Sequence, residues 1–520
     1  MPLFDTDLPT TVQLGSSGVT VGDVIAVARH DARVELTDEA REHVARVRRN
    51  IDELAASDVP AYGISTGFGA LANKHIPLEK RTRLQKSLVR SHAAGTGPTV
   101  EREVVRALMF LRAKTLASGH TGIRVETLET MLAVLNAGIT PVVHEFGSLG
   151  CSGDLAPLAH CALVLMGEGR AVGPDGTERP VPELLAEAGI EPVTLAEKEG
   201  LALINGTDGM LGQLIMALAD LQNLLTAADI TAAFSVEGLL GTDRVFVPEL
   251  HEPLRPHPGQ KYAAANMLKV LEGSGIVASH RVGDDRVQDA YSLRCAPQVA
   301  GGSRDTAAYA LTVAQQELAA AVDNPVVLDD GTVSSNGNFH GAPVAYVLDF
   351  MAIPIADLAS MSERRTDRML DPARSNGLPP FLAEDPGTDS GLMIAQYTQA
   401  GLVSDMKRLA APASVDSIPS SAMQEDHVSM GWHAARKLRQ AVLNLRRVLA
   451  IELLSATRAI ALRAPLEPGA AASAVIADLD GRVGAPGEDR FMAPEIEAAE
   501  EYVASGRLVR TVESAVGPLN

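Results

Sequence analysis

Residues 147–158 read Gly147-Ser-Leu-Gly-Cys151-Ser152-Gly153-Asp154-Leu-Ala-Pro157-Leu158, and no other segment says more about the fold and chemistry of this chain. If the backbone bends sharply, the Gly153 amide nitrogen can attack the Cys151 carbonyl carbon, and loss of water closes a five-membered ring. Glycine suits the attacking position because it has no Cβ and tolerates unusual φ/ψ values. A second dehydration removes the Ser152 hydroxyl and leaves a methylene open to nucleophiles. The segment therefore indicates covalent catalysis without a bound cofactor.

Two commoner glycine-rich motifs do not fit these residues. A phosphate-binding P-loop ends in Gly-Lys-Ser/Thr, and a hydrolase nucleophile elbow reads G-x-S-x-G, whereas Asp154 and Leu155 follow Gly153 here. The tripeptide Cys-Ser-Gly alone is a weak signal that any loop can contain. Its surroundings make the segment specific.

The segment from Gly147 to His160 resembles the signature of the histidine and aromatic amino acid ammonia-lyases. That family carries a methylidene-imidazolone (MIO, 4-methylidene-imidazol-5-one) made from an internal X-Ser-Gly. The usual first residue is Ala, and this chain has Cys151, of which only the carbonyl enters the ring. The match extends in at least six blocks from about Gly15 to Leu462. It implies a mainly α fold, a long-helix bundle of the aromatic amino acid lyase (fumarase/aspartase-like) type.

Composition excludes several classes of function. The chain has 45 Lys and Arg against 65 Asp and Glu, a net charge of −20, and its basic residues are dispersed. We therefore expect neither a nucleic-acid nor a membrane partner. Cys151, Cys161 and Cys295 show no CxxC spacing, and no secretory signal is visible at the start, so the sequence predicts a cytoplasmic protein.

Helical periodicity dominates the chain. The predicted long helices are Glu101–Ala117, Gly209–Leu240, Thr306–Val322, Pro343–Arg365, Leu392–Leu409 and Trp432–Leu462. Polar residues interrupt the apolar run 209–240, which favours a buried helix over a membrane span. We place a domain boundary near Gly206, between an N-terminal MIO-bearing domain (1–205) with a Tyr lid loop and a long helical bundle with a C-terminal helical segment (206–520). Residues 173–191 are predicted as a surface loop and short helix, 465–486 as a mobile loop or hinge, and 494–505 as the last helix.

Elimination of ammonia, the reaction that the resemblance implies, needs an electrophile, a base near the β-carbon and a clamp for the carboxylate. Tyr62 heads Tyr-Gly-Ile-Ser-Thr-Gly-Phe-Gly69, which resembles the family loop whose tyrosine is the proposed base, with Ser65 replacing the common Asn. A lone loop tyrosine is usually a packing residue, but a Gly-rich segment suits a lid. We expect Tyr62 to be catalytic.

The resemblance also assigns the residues that hold the substrate carboxylate and the electrophile. Arg294, in a block running from Val287, matches the residue that pairs with the carboxylate, a task suited to the planar guanidinium. The alternative for Arg294 is a structural ion pair. Gln288 and Tyr291 match neighbours of the MIO and the amine, and Asn205 matches an amide that holds the MIO oxygen.

Further blocks are Asp323-Asn324-Pro325 and Gly337-Asn338-Phe339-His340-Gly341, which place Phe339 near the site. Ser362-Glu-Arg-Arg365 also belongs to the family pattern. Its alternative, an ion-pair cluster that supports the bundle, is about as well founded.

Three positions concern the substrate ring. His92, Met393 and Glu425 match the residues that line the imidazole pocket of the histidine-specific members. Phenylalanine and tyrosine lyases have an uncharged amide at the Glu425 position, because a buried carboxylate against a phenyl ring would be unpaired. No HExxH or comparable cluster appears among the thirteen histidines, so no metal is predicted. Asp208 and His144-Glu-Phe146 depart from the family pattern.

The resemblance therefore implies conversion of L-histidine to trans-urocanate and ammonia by an MIO made from Cys151-Ser152-Gly153, with no external cofactor. It also implies a homotetramer whose active sites are shared between subunits. One alternative is a tyrosine or phenylalanine lyase or aminomutase on the same scaffold. Another, from a different class, is a non-catalytic helical scaffold, which would have no use for Tyr62, Ser152 and Arg294 together.

Overall fold

The structure is a computed structural model, and it describes residues 3–4, 7–15, 18–56, 64, 66–67 and 76–520. Tyr62 and Ser65 lie outside the described residues.

Helices make up most of the described chain. In chain order they are α1 (Val21–His30), α2 (Asp38–Ala56), α3 (Leu78–His92), α4 (Arg102–Ala117), α5 (Val125–Asn136), α6 (Leu155–Leu165), α7 (Val181–Ala188), α8 (Glu199–Ile204), α9 (Asp208–Gly238), α10 (Pro248–His251), α11 (Pro258–Val270), α12 (Gly275–Ala278), α13 (Tyr291–Arg294), α14 (Ala296–Ala319), α15 (Ala342–Leu370), α16 (Met393–Leu409), α17 (Gly431–Ala461), α18 (Ala470–Val483), α19 (Ala493–Ala504) and α20 (Arg507–Val516).

The strands are short, with two to four residues each. They are β1 (Thr11–Leu14), β2 (Arg33–Leu36), β3 (Thr96–Thr99), β4 (Thr140–Pro141), β5 (His144–Phe146), β6 (Arg170–Val172), β7 (Glu178–Pro180), β8 (Val326–Val327) and β9 (Val333–Ser334). β1 and β2 pair in parallel, whereas β3–β5, β4–β6–β7 and β8–β9 are antiparallel. The mainly α fold implied by the sequence is confirmed.

The centre of the molecule is a bundle of four long helices: α9, α14, α15 and α17. α9 and α17 each have 31 residues and therefore span about 46 Å. Among the described residues, two helical stretches, Glu199–Gly238 (α8 and α9) and Ala342–Leu370 (α15), are long and apolar enough to cross a membrane. The most apolar part of the first is completely buried inside the protein. A helix that is apolar on all sides belongs in the core of a large bundle.

A buried ion pair ties three of these helices together. The Arg365 guanidinium of α15 binds the Glu452 carboxylate of α17, and both side chains are almost fully buried. Thr231 and Ser235 of α9 donate hydrogen bonds of 2.9 and 2.7 Å to the same carboxylate. Buried charges need such partners, because an unpaired ion in the core is strongly destabilising. These contacts support the ion-pair interpretation of Ser362–Arg365.

Most predicted helices are confirmed in type and approximate bounds, with three corrections. α14 begins at Ala296 instead of Thr306. Residues 470–483 form α18, so the prediction of a mobile loop or hinge over 465–486 is wrong. Pro and Gly occur at the ends of this stretch, and Val475 and Leu479 in its Ala-rich middle are buried. The helix at Ala493–Ala504 is not the last, because α20 follows after Gly506. The domain boundary near Gly206 stays a prediction, and buried apolar residues on both sides of it pack into one cluster.

Candidate active site

The segment Gly147–Asp154 forms a tight loop before α6, and the loop rests on the residues that precede α9. Gly153 has φ +76°, in the left-handed region, and a Cβ at this position would overlap the Gly206 backbone. Both the conformation and the close approach therefore require glycine. The next amide, Asp154 N–H, donates a 2.7 Å hydrogen bond to the Gly206 carbonyl.

Asp154 attaches this loop to the first turn of α9. Its carboxylate is fully buried and accepts hydrogen bonds from the Ser148 hydroxyl at 2.8 Å and from the Met210 amide, in the first turn of α9, at 2.9 Å. Burial raises the pKa of Asp154 to about 7, although both hydrogen bonds favour the charged form. The anchor fixes the loop to the N-terminal end of the central helix.

The top of the loop is held by the segments that begin α15 and α17. The Gly150 carbonyl accepts hydrogen bonds from the Ser429 hydroxyl at 2.8 Å and from the Gly341 amide at 3.2 Å. The Met430 amide donates to the Leu149 carbonyl at 2.9 Å. Phe339 is half-buried and lies two residues before Gly341, so the loop that carries it ends at Gly150, next to Cys151.

Glu425 lies directly against the tripeptide. Its carboxylate accepts from the Cys151 thiol at 3.2 Å and from the Ser152 hydroxyl at 3.4 Å. The Ser420 hydroxyl donates to the same carboxylate at 3.0 Å, and two backbone hydrogen bonds join Ser420 and Glu425. Burial, followed by the neighbouring Glu425 charge, raises the pKa of Cys151 to about 12, so its thiol keeps its hydrogen at neutral pH.

His92, the last residue of α3, lies close enough to Glu425 for the two charges to interact. Burial lowers the pKa of His92, while the Leu88 carbonyl and the Glu425 charge act in the opposite direction. Its Nδ1 lies 2.9 Å from the Leu88 carbonyl oxygen. Since a carbonyl can only accept, Nδ1 carries the hydrogen, and Nε2 of the neutral ring is left as an acceptor.

Asn205 lies beside the loop, in the residue before Gly206. Arg112 fixes its backbone with a 2.7 Å hydrogen bond to the Asn205 carbonyl, and its side-chain Nδ2 donates to the Asn324 carbonyl at 3.2 Å. Its Oδ1 is buried and has no hydrogen-bond partner among the described residues. The Asn205 Oδ1 atom can therefore accept a hydrogen bond from a group placed beside it. Together with the backbone position that only Gly153 can occupy, this arrangement fits an MIO formed at residues 151–153.

The other predicted residues lie at the opposite end of the bundle. The Arg294 guanidinium stacks over the Tyr291 ring at 4.6 Å, Tyr291 and Gln288 are exposed, and the Arg294 Nε is buried without a partner in the described part of the chain. Arg365, bound to Glu452 beside the C-terminal half of α9, donates to the Ser292 carbonyl at 3.2 Å.

Helix length gives the separation of the two groups. Asp154 fixes the loop to Met210 of α9. Ser292 is linked through Arg365 and Glu452 to Ser235 of the same helix. The 25 residues of helix from Met210 to Ser235 measure about 37 Å. Met393 also belongs to the distant group, because Leu392 beside it lines a small cavity with Leu454, near the far end of α17. One chain therefore brings together Cys151, Ser152, Gly153, Asn205, Phe339, His92 and Glu425, but not Gln288, Tyr291, Arg294 or Met393.

Some residues of the site carry no signal in the sequence. Ser429 lies far along the chain from Gly150, to whose carbonyl it donates. Ser420 contacts Glu425 and not the loop itself, and nothing in the sequence assigns either serine a role. Asp154 could have been found, because it belongs to the quoted segment and an acidic residue within an apolar run needs partners.

A long-helix bundle with this loop at the start of its central helix defines the scaffold of a carbon–nitrogen lyase. The aromatic amino acid lyase family model matches residues 19–480. The chain belongs to that family, as its sequence signature implied.

Similar relatives span nearly the whole chain. Histidine ammonia-lyase from Streptomyces griseus is 68% identical over 513 residues, covering 98% of this chain and 99% of that protein. The enzyme of the same name from Streptomyces coelicolor is 67% identical over 510 residues, with coverages of 98% and 99%.

Solved structures agree with the fold. Tyrosine aminomutase from Streptomyces globisporus aligns with a TM-score of 0.91 at 36% identity, covering 98% of this chain and 99% of that chain. Histidine ammonia-lyase from Trypanosoma cruzi aligns with a TM-score of 0.89 at 38% identity, with coverages of 97% and 96%.

Proposed function

We propose that this chain is an ammonia-lyase for L-histidine, which it converts to trans-urocanate and ammonia. The observation that carries the proposal is the Glu425 carboxylate, which lies 3.4 Å from the Ser152 hydroxyl. A carboxylate at this position can accept an imidazole N–H, whereas a phenyl or phenol ring would leave it unpaired beside the reacting group. The two Streptomyces relatives support the same substrate.

The main alternative is a tyrosine or phenylalanine lyase or aminomutase. The close structural match to a tyrosine aminomutase favours it, because the scaffold alone does not distinguish the two reactions. The tyrosine aminomutase is 36% identical to this chain, whereas the histidine ammonia-lyase from Streptomyces griseus is 68% identical. With Glu425 beside Ser152 and His92 within electrostatic reach of Glu425, histidine is the better supported substrate.

The electrophile is proposed to form from the chain itself. The Gly153 nitrogen bonds to the Cys151 carbonyl carbon, and the carbonyl oxygen leaves as water with the amide hydrogens of Gly153 and Ser152. The Ser152 hydroxyl then leaves with the Ser152 α-hydrogen as a second water. The resulting MIO supplies an electrophilic methylene, which no ordinary side chain offers. Gly153 and Asn205 are the residues proposed to hold it.

The remaining residues have roles set by their chemistry. Glu425 and the neutral His92 bind and orient the imidazole ring, with Phe339 nearby and Met393 of another subunit lining the same pocket. Arg294 pairs with the carboxylate, and Gln288 and Tyr291 lie beside the amine. Tyr62 is proposed to remove the β-hydrogen.

A homotetramer with shared sites is proposed as well. The estimated 37 Å between the Ser152 and Arg294 groups supports it, because one small amino acid cannot contact both within a single chain. Exposed apolar side chains support it too, since such surface on α14–α16 needs a covering partner. These are Tyr309, Tyr346, Phe350, Ile353, Ile394 and Tyr397. We also infer a cytoplasmic location, with neither nucleic acid nor membrane as a partner.

The proposal is tested by intact mass and by turnover. Mature protein is expected to weigh two waters less than its encoded mass, and incubation with L-histidine is expected to produce the ultraviolet absorption of urocanate. Ser152→Ala is the control, because it cannot lose the second water and should lose nearly all turnover. Active protein at its full encoded mass would end the MIO proposal, and a preference for tyrosine would end the histidine assignment.

A further inference from the structure

The two oxygens of the Glu425 carboxylate have different partners. Oε2 accepts from the Cys151 thiol at 3.2 Å and from the Ser420 hydroxyl at 3.0 Å. Oε1 accepts only from the Ser152 hydroxyl, at 3.4 Å, among the described residues. The carboxylate is thus held at one oxygen by two donors and at the other by one.

Formation of the electrophile removes that single donor. The Ser152 hydroxyl leaves as water, whereas the Cys151 side chain and Ser420 take no part in either dehydration. In the mature protein Oε2 therefore keeps both donors, and Oε1 becomes a free acceptor beside the reacting group. We propose that Cys151 is a positioning residue, whose thiol joins Ser420 in fixing Oε2 of Glu425 so that Oε1 receives the imidazole N–H of the substrate.

Several features suit the Cys151 thiol to this role. Its side chain is 6% exposed and packs with Val428 and Met430, so the sulfur cannot turn away to solvent. Burial and the Glu425 charge raise the pKa of the thiol to about 12, which keeps a hydrogen on the sulfur for donation.

Ser420, the second donor, is fixed by the backbone. Its amide donates to the Glu425 carbonyl at 2.7 Å and its carbonyl accepts from the Glu425 amide at 3.2 Å. The loop closed by these bonds contains Ser421, Ala422 and Met423, all with positive φ, a conformation that is unfavourable for residues with a Cβ. Such a conformation persists where the surroundings hold it, and it sets Ser420 and Glu425 on one side of the loop.

This inference rests on the proposed function, and binding of the product tests it without turnover. The dissociation constant of trans-urocanate is measured by calorimetry, without ammonia, for the wild type, Cys151→Ala and Cys151→Ser. Cinnamate is the matched ligand, because its phenyl ring offers no N–H to Glu425. Intact mass is recorded for every protein, to establish that both waters are lost.

The Ala variant should lose both waters and bind urocanate roughly three- to tenfold more weakly, since it loses one weak donor to a carboxylate. Its cinnamate affinity should be unchanged. The Ser variant should recover most of the urocanate affinity, because a hydroxyl can donate in place of the thiol. Ser420→Ala removes the other donor and should show the same selective loss.

Equal weakening for urocanate and cinnamate would overturn the inference, because it would indicate a packing effect. Unchanged urocanate affinity in both Ala variants would do the same. A Cys151→Ala protein that keeps its full encoded mass would assign Cys151 to ring formation instead. Failure of the proposed function would be recognised separately: the wild-type protein would then keep its full encoded mass or form no urocanate from L-histidine.

Discussion

Replacement of Glu425 by Gln is the most direct test of substrate recognition. The side chains are nearly isosteric, so the fold and both dehydrations should be retained. The Gln oxygen is expected to face the two donors that now contact Oε2, Cys151 and Ser420, at 3.2 and 3.0 Å. The Gln NH₂ group then takes the Oε1 position. It faces the imidazole N–H there, and since both groups are donors, no hydrogen bond can form between them.

The cost follows from that geometry. The substrate loses one charge-assisted hydrogen bond, worth about 1.5–3 kcal/mol, which corresponds to a loss in kcat/KM of roughly ten- to a hundredfold. The assay is the initial rate of urocanate formation over a range of L-histidine concentrations, with intact mass as the control for maturation. A much larger loss would indicate that Glu425 also transfers a proton. Full activity toward L-histidine in the Gln variant would refute the assignment of Glu425 and the histidine specificity derived from it.

Three further predictions concern maturation, assembly and pH. Gly153→Ala should lose neither water, because a Cβ at this position overlaps the Gly206 backbone. The control is Gly176→Ala, which also has a positive φ (+79°) but open space around the Cβ, and which should lose both waters. Equal water loss in the two variants would contradict this account. If active sites are shared between subunits, refolding a mixture of Ser152→Ala protein and Arg294→Ala protein should restore part of the activity. A mixture of Ser152→Ala and Gly153→Ala proteins should restore none. No recovery in the first mixture would argue for active sites within one chain. Because burial raises the pKa of Asp154 to about 7, the Asp154 carboxyl of the folded protein stays protonated up to about that pH. The free energy of unfolding therefore falls as the pH rises from the pKa of an unfolded aspartate toward 7, by at most about 1.4 kcal/mol per pH unit. The Tm of Asp154→Asn relative to wild type should therefore increase between pH 5 and 7, and a constant difference would exclude this linkage.

Local patterns were sufficient for most of the helices and for the tripeptide that can cyclise. The apolar period predicts α9, α15, α16 and α17 because a helix in a bundle must bury its apolar side chains whatever its neighbours are. It failed at α18, where Pro465, Gly469 and Pro486 suggested a loop: proline and glycine limit only the positions that they occupy, and packing of Val475 and Leu479 stabilises the helix between them.

The sequence by itself determined the tripeptide that can cyclise, the family resemblance and the set of candidate residues, because ring formation needs only three consecutive residues. The tertiary structure decided which candidates meet. It brings Glu425 to Ser152, with Cys151 and Ser420 as the other partners of its carboxylate, and it brings His92 within electrostatic reach of Glu425. It leaves Arg294 and Met393 at the other end of the bundle. No local pattern contains this division, because contacts between residues far apart in the chain depend on how whole helices pack against one another.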